Sequence, residues 1–193
     1  MSTSSSLDKT GQTQPLLTIQ DLTIQFPTEA GFATAVNGLN LELAAGDIVG
    51  LVGESGCGKS LSSLAILNLI PAPGRIASGA ITLNTSHPKI PNLHDKNLLE
   101  LSTSDIRLIR GAKIAIIPQD PLTSLNPVYT IGAQIKEVLE LHQGLKGDAA
   151  NKKAIELLEQ VRLPNAKERL NDYPHQFSGG MRQRVMIAMA LIN

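Results

Sequence analysis

The chain has 193 residues, 42% of them hydrophobic and 18% charged, with a formal net charge of zero. That length supports one domain with a sizeable core, and the neutral balance and 3% aromatic content argue against a basic, base-stacking surface for nucleic acid. A single cysteine, Cys57, excludes an intrachain disulfide framework, and no apolar run reaches the roughly 18–20 residues that span a bilayer.

Residues 1–15, MSTSSSLDKTGQTQP, are polar and lack an apolar h-region, which predicts a disordered extension and not a signal peptide. LLTIQDLTIQF (16–26) is rich in Leu, Ile and Thr and predicts one or two strands, and ATAVNGLNLEL (33–43) a further one. IVGLV (48–52) is continuous and apolar, as expected of a strand buried on both faces. A glycine-rich loop follows, then a helix over 60–70 that Pro71 and Pro73 end.

GAITLN (79–84) predicts another strand, and TSHPKIPNLHDKN (85–97), with two prolines and no period, a loop. Ser102 with Asp105 resembles a capping box opening a short helix that Gly111 stops. KIAIIP (113–118) predicts a second buried strand. Helical patterns cover 130–142 and 149–162. The loop NDYPHQFSGG (171–180) leads into a final apolar helix that ends in RVMIAMALIN. The order predicts an α/β domain with a helical subdomain near 121–177.

GESGCGKS (53–60) fits G-x-x-x-x-G-K-[ST]. Gly53, Gly56 and Gly58 let the backbone curl so that successive N–H groups face an anion, with Glu54, Ser55 and Cys57 between them. Lys59 brings a full charge to the β- and γ-phosphates, and the Ser60 hydroxyl suits Mg²⁺. Cys57 reads first as a permissive small residue and second as a reactive thiol inside the loop. In QFSGGMRQR (176–184), Ser178 is a good N-cap, and Gly179 and Gly180 expose N–H groups at a helix start, a second anion-binding feature. His87, His94, His142 and His175 are scattered without metal-ligand spacing.

The phosphate loop, QFSGGMRQR and IIPQD (116–120) together resemble the P-loop, signature and Q-loop of ATP-binding cassette (ABC) proteins. DPLTSLNPVYTIGAQI (120–135), YPHQFSGGMRQRVMIAMAL (173–191), GESGCGKS and SDIRLIRG narrow the resemblance to the ATPase subunits of bacterial di- and oligopeptide importers, with nickel importers as neighbours. It covers about residues 16–193. It implies a P-loop core with an antiparallel β subdomain and an α-helical subdomain, binding ATP and Mg²⁺ at the cytoplasmic face of the plasma membrane.

The implied partners are a second ABC ATPase subunit paired head to tail, membrane permease subunits and, indirectly, a peptide-binding protein. The resemblance further implies that Gln119 positions metal and water, and that Ser178, Gly179 and Gly180 reach the partner's ATP. An aromatic residue stacks on adenine, with Phe26 the first candidate and Phe32 the second. FSGGM stands where LSGGQ is commoner, and the 85–97 loop is longer than usual.

In the family the next strand carries an Asp-Glu pair, and a switch His follows. The chain stops short of both, so the expectation is a C-terminally truncated subunit that is hydrolysis-deficient on its own. The alternative is a non-hydrolytic regulatory module or remnant. Without that strand, 48–52 and 113–118 are expected to have unpaired inner edges, which favours aggregation.

Overall fold

The structure is a computed structural model that describes residues 14–120 and 124–192. The extension predicted at 1–15 falls outside these residues except for Gln14 and Pro15. The chain divides into two compact units, Met1–Arg107 and Leu108–Asn193.

The first unit is built on an antiparallel sheet of β1 (Leu17–Thr28), β2 (Gly31–Leu43) and β3 (Arg75–Leu83), in the order β2-β1-β3. β1 is one strand with a break in its alternation. Asp21 has φ 47°, and the register with both neighbours shifts around it. The shift moves the buried set from Ile19 to Leu22 and Ile24, so a strict period of two would have put Leu22 on the wrong face. The irregularity is pinned by Asn40, whose Oδ1 accepts from the Asp21 N–H at 3.0 Å and whose Nδ2 donates to Asp21 Oδ1 at 3.0 Å. Opposite it, a Cβ on Gly79 would lie 2.6 Å from Leu22 Cα, so the close approach of β3 requires glycine.

Helix α1 (Lys59–Ile66) follows the phosphate loop and is shorter than the 60–70 expected. Asn68 turns to φ 51° before the prolines are reached. The 85–97 segment is not a plain loop. It forms short 3₁₀ turns at Leu93–Asp95 and, just beyond, Leu98–Glu100. It buries Ile90 and Leu93, and Leu98 beyond it. Asn97 Oδ1 fastens it to the sheet by accepting from Ile81 N–H at 3.0 Å and Leu99 N–H at 3.2 Å. Helix α2 (Thr103–Ile109) is capped by Ser102, whose Oγ accepts from Asp105 N–H at 3.1 Å.

Two sequence expectations fail in the same way. IVGLV forms no strand, and Ile48 and Val52 are 99% and 90% exposed. KIAIIP is held at its start by backbone hydrogen bonds to Ile109 and Gly111 and an isolated bridge between Arg110 and Ile114, and Ile116 and Ile117 are 38% and 46% exposed. Both runs carry an apolar pattern, but burial in a parallel sheet needs a neighbour along each edge. Among the described residues, neither segment joins a sheet.

The second unit packs α3 (Ile131–Gln143), α4 (Gly147–Gln160), the single turn α5 (Ala166–Arg169) and α6 (Gly179–Ala190). Ile131, Ile135 and Leu139 recur at helical spacing on α3 and meet Ala154, Leu157 and Leu158 of α4 and Val185 and Ala188 of α6. Thr130 caps α3, its Oγ1 accepting from Ala133 N–H at 3.2 Å, and Gly144 ends it at φ 68°. Gln134 is the buried polar residue of this core. Its Oε1 accepts from Asn126 N–H at 2.9 Å, and its Nε2 donates to the Asn126 and Tyr129 carbonyls at 3.0 Å each. It thereby fixes the turn that enters α3. The apolar final helix buries Val185, Met186 and Ala188 but leaves Leu191 exposed.

Candidate functional site

The glycine loop rests against β2. Gly56 and Gly58 have φ 85° and 91°, conformations that side chains with a Cβ rarely adopt. A Cβ on Gly58 would also lie 2.7 Å from the Ala35 carbonyl oxygen and 2.8 Å from Val36 Cγ2. Glycine at 58 is thus required twice, for backbone handedness and for close approach to the sheet. Gly58 is the N-cap of α1 with no side-chain cap, and its carbonyl accepts from Ser62 N–H at 2.9 Å, so the Lys59, Ser60 and Leu61 N–H groups precede the intrahelical ladder.

The Lys59 side chain folds back over the loop. Its Nζ donates to the Gly53 carbonyl at 2.8 Å and the Glu54 carbonyl at 2.6 Å, and lies 3.4 Å from Cys57 Sγ. Ser60 is exposed and Ser62 buried, the latter donating its hydroxyl to the Gly58 carbonyl at 3.1 Å. A cavity of about 380 Å³ opens beside the loop, with Val36, Gly38, Leu51, Cys57 and Lys59 among its lining residues.

Strand register separates the two aromatic candidates. Residues directly opposed in an antiparallel pair share a face. Ile24 opposes Val36, and Phe26 opposes Ala33, so Phe26 lies on the Val36 face, the face Gly58 touches. Phe26 is half-buried, its ring against Gly74, where a Cβ would fall 2.6 Å from ring carbons. Gln25 opposes Thr34, and Pro27 opposes Phe32, which places Phe32 on the other face. There Phe32 is 51% exposed, with the Arg75 guanidinium 3.6 Å from its ring centroid.

The remaining site residues belong to the second unit. Gln119 is exposed, in a bend after the 113–118 segment and not after a buried strand. The next carbonyl, that of Asp120, accepts from the Ser124 hydroxyl at 2.9 Å. Ser178 is the N-cap of α6, its Oγ accepting from Met181 N–H at 3.3 Å. Gly179 and Gly180 open that helix, and a Cβ on either would meet nothing within 4 Å. Packing therefore does not demand glycine there, while its absence of side chain leaves the helix end open to an incoming group. Just before it, Tyr173 and His175 stack with ring centroids 5.7 Å apart. The Asn97 and Gln134 clamps were missed by sequence reasoning, because a single polar residue carries no periodic signal.

The family model described as ABC transporter matches residues 36–193. The chain belongs to the ABC transporter family. It is 45% identical over 178 residues to the oligopeptide transport ATP-binding protein OppD of Haemophilus influenzae, covering 92% of this chain and 52% of that protein. Against OppD of Escherichia coli the identity is 44% over 181 residues, 94% of this chain and 50% of that one. The chain thus spans about half the length of the curated relatives it matches. Among solved structures, a dimeric ATP-binding cassette in a post-hydrolysis state, bound to ADP and Pi, aligns with TM-score 0.73 at 26% identity. That alignment covers 92% of this chain and 69% of the cassette. The fold class is therefore the α/β fold of ABC ATP-binding domains, here with its antiparallel sheet and its helical part formed. No described helix is long and apolar enough to cross a membrane.

Proposed function

We propose that this chain is the ATP-binding part of a subunit that energises di- or oligopeptide import, working at the cytoplasmic face of a bacterial plasma membrane. The observation that carries the reading is the glycine loop, with Gly56 and Gly58 at positive φ and Lys59 folded over its mouth. The peptide substrate class rests on the names of the OppD relatives.

In this reading, Gly53 to Ser60 wrap the phosphates, with backbone N–H groups and the Lys59 ammonium offsetting their charge. To do so, Lys59 exchanges the Gly53 and Glu54 carbonyls for phosphate oxygens. Phe26 stacks on the base, since it shares the sheet face that the loop touches. Ser60 and Gln119 offer neutral oxygens suited to Mg²⁺, which when bound neutralises charge on the transferring phosphoryl group. Ser178, Gly179 and Gly180 present a capped, unobstructed helix start to the nucleotide of a second ABC subunit. Permease subunits and, through them, a peptide-binding protein complete the assembly.

The 193 residues contain no Asp-Glu dipeptide. By itself the chain is thus proposed to bind ATP without turning it over, electrostatic positioning being present and a water-polarising carboxylate lacking. The test is equilibrium ATP binding and phosphate release by the purified chain, with and without Mg²⁺. Saturable binding without release is expected. Absence of binding overturns the nucleotide reading, and steady release overturns the inactive one. Co-purification with permease subunits, and not with a free regulator's targets, tests the transport assignment.

A further inference from the structure

A second cationic concavity lies in the helical unit, within α3, α4 and α5 and their caps. It encloses about 240 Å³, with Ile155 and Leu170 forming its apolar part. Its polar lining is Thr130, Lys136, Asn151, Lys167 and Asn171. No carboxylate lines it. Of the acidic residues next in sequence to the lining, Asp172 is held by Arg169 at 2.7 Å, while Glu137 and Glu168 follow Lys136 and Lys167 directly and lie outside the lining. On α4, Glu156 pairs with Lys153 at 3.2 Å, and on α3, Glu140 pairs with Lys146 at 2.7 Å. Lys136 and Lys167 form no ion pair among the described residues, and the side-chain amides of Asn151 and Asn171 have no hydrogen-bond partner there.

The α3 helix end is not what makes this surface. Its Ile131 and Gly132 N–H groups are already taken by the Asp172 and Leu170 carbonyls at 2.9 and 2.8 Å. The free donors are side chains alone: two ammonium groups, two amides and the Thr130 hydroxyl, whose oxygen serves the cap and whose proton stays available. Lys136 and Lys167 line one concave surface that has no carboxylate among its lining residues, and an anion between two like charges offsets their repulsion. Five donors from three helical elements exceed what a planar carboxylate with two oxygens can use, and match a tetrahedral oxyanion. At about 240 Å³ the concavity has room for phosphate or the head of a phosphate monoester with solvent.

We infer that this concavity is an oxyanion site of the phosphate class, separate from the glycine loop. It does not depend on the transport reading. The test is titration of the full chain with inorganic phosphate at constant ionic strength, following the Asn151 and Asn171 side-chain amide resonances. Saturable shifts are expected with phosphate and not with chloride. They should persist in Lys59→Ala, which disables the loop, and weaken by roughly tenfold or more in affinity in the Lys136→Gln/Lys167→Gln double variant. Both glutamines are solvent-compatible and preserve the fold, which the spectrum itself reports. Equal shifts with chloride, loss of the response in Lys59→Ala, or its survival in the double variant each overturns the inference.

Discussion

The Lys59 ammonium lies 2.6 Å from the Glu54 carbonyl oxygen and 2.8 Å from that of Gly53, so the loop's cation closes onto its own backbone. Under the proposed function, phosphate oxygens compete with these carbonyls for the ammonium. Lys59→Ala removes the charge and leaves the loop glycines untouched. ATP affinity is expected to fall by roughly 10–100-fold, in line with truncating one partner of a hydrogen-bonded charge pair. Calorimetric titration reads it, and an unchanged affinity would count against the loop as the phosphate site.

Phe26 and Phe32 should respond differently. Phe26 shares the Val36 face with the loop, and Phe32 lies on the other face beneath Arg75. Phe26→Leu should weaken ATP by about 1–3 kcal/mol, the worth of a base–aromatic stack. Phe32→Leu should leave it within a factor of about two. The reverse order of affinities would reassign the base to the outer face.

Cys57 Sγ sits 2.7 Å from where a Gly53 Cβ would be and 3.4 Å from Lys59 Nζ. The thiol is exposed. A maleimide adduct there projects into the loop mouth, so complete alkylation is expected to abolish ATP binding, while Cys57→Ser is insensitive to the reagent. Unchanged affinity after stoichiometric labelling, checked by mass spectrometry, sinks the idea.

Gly132 is a packing glycine. A Cβ there would fall 2.6 Å from the Leu170 carbonyl oxygen, which also accepts the Gly132 N–H at 2.8 Å. Gly132→Ala should cost about 1–3 kcal/mol despite the better helix propensity of alanine. Chemical denaturation reads it, and a stabilised variant would contradict the close approach.

Lys146 is held above the usual lysine range, first by its hydrogen bond to Glu140 and second by the charge of that carboxylate. The group gains its partner on folding, so its contribution is present below the unfolded lysine value of about 10.4 and is lost as pH rises through the raised folded value. The pair is solvent-exposed, so the effect is small. Lys146→Gln should flatten the decline in stability above about pH 10 relative to the parent chain. Parallel decline in both would remove the pair from the account.

The sequence by itself determined the local conformations. The glycine loop, the Ser178-capped helix and the helices around 131–160 were legible because glycine handedness, capping and a 3.6-residue period are local properties. The α3 core residues Ile131, Ile135 and Leu139 and the Ser178 cap follow directly from them. Other features were decided by tertiary structure. Which aromatic lies on the loop's side of the sheet depended on the register shift after Asp21 and on the skipped Ala35, since one residue of slip exchanges the two faces. The 85–97 segment joins the core by burying Ile90 and Leu93 and by the bond from Ile81 N–H of β3 to Asn97 Oδ1. IVGLV and KIAIIP carry strand-like sequence, yet a strand is a relation between segments. Local pattern supplies the apolar side chains, and only a neighbouring backbone can satisfy the edges.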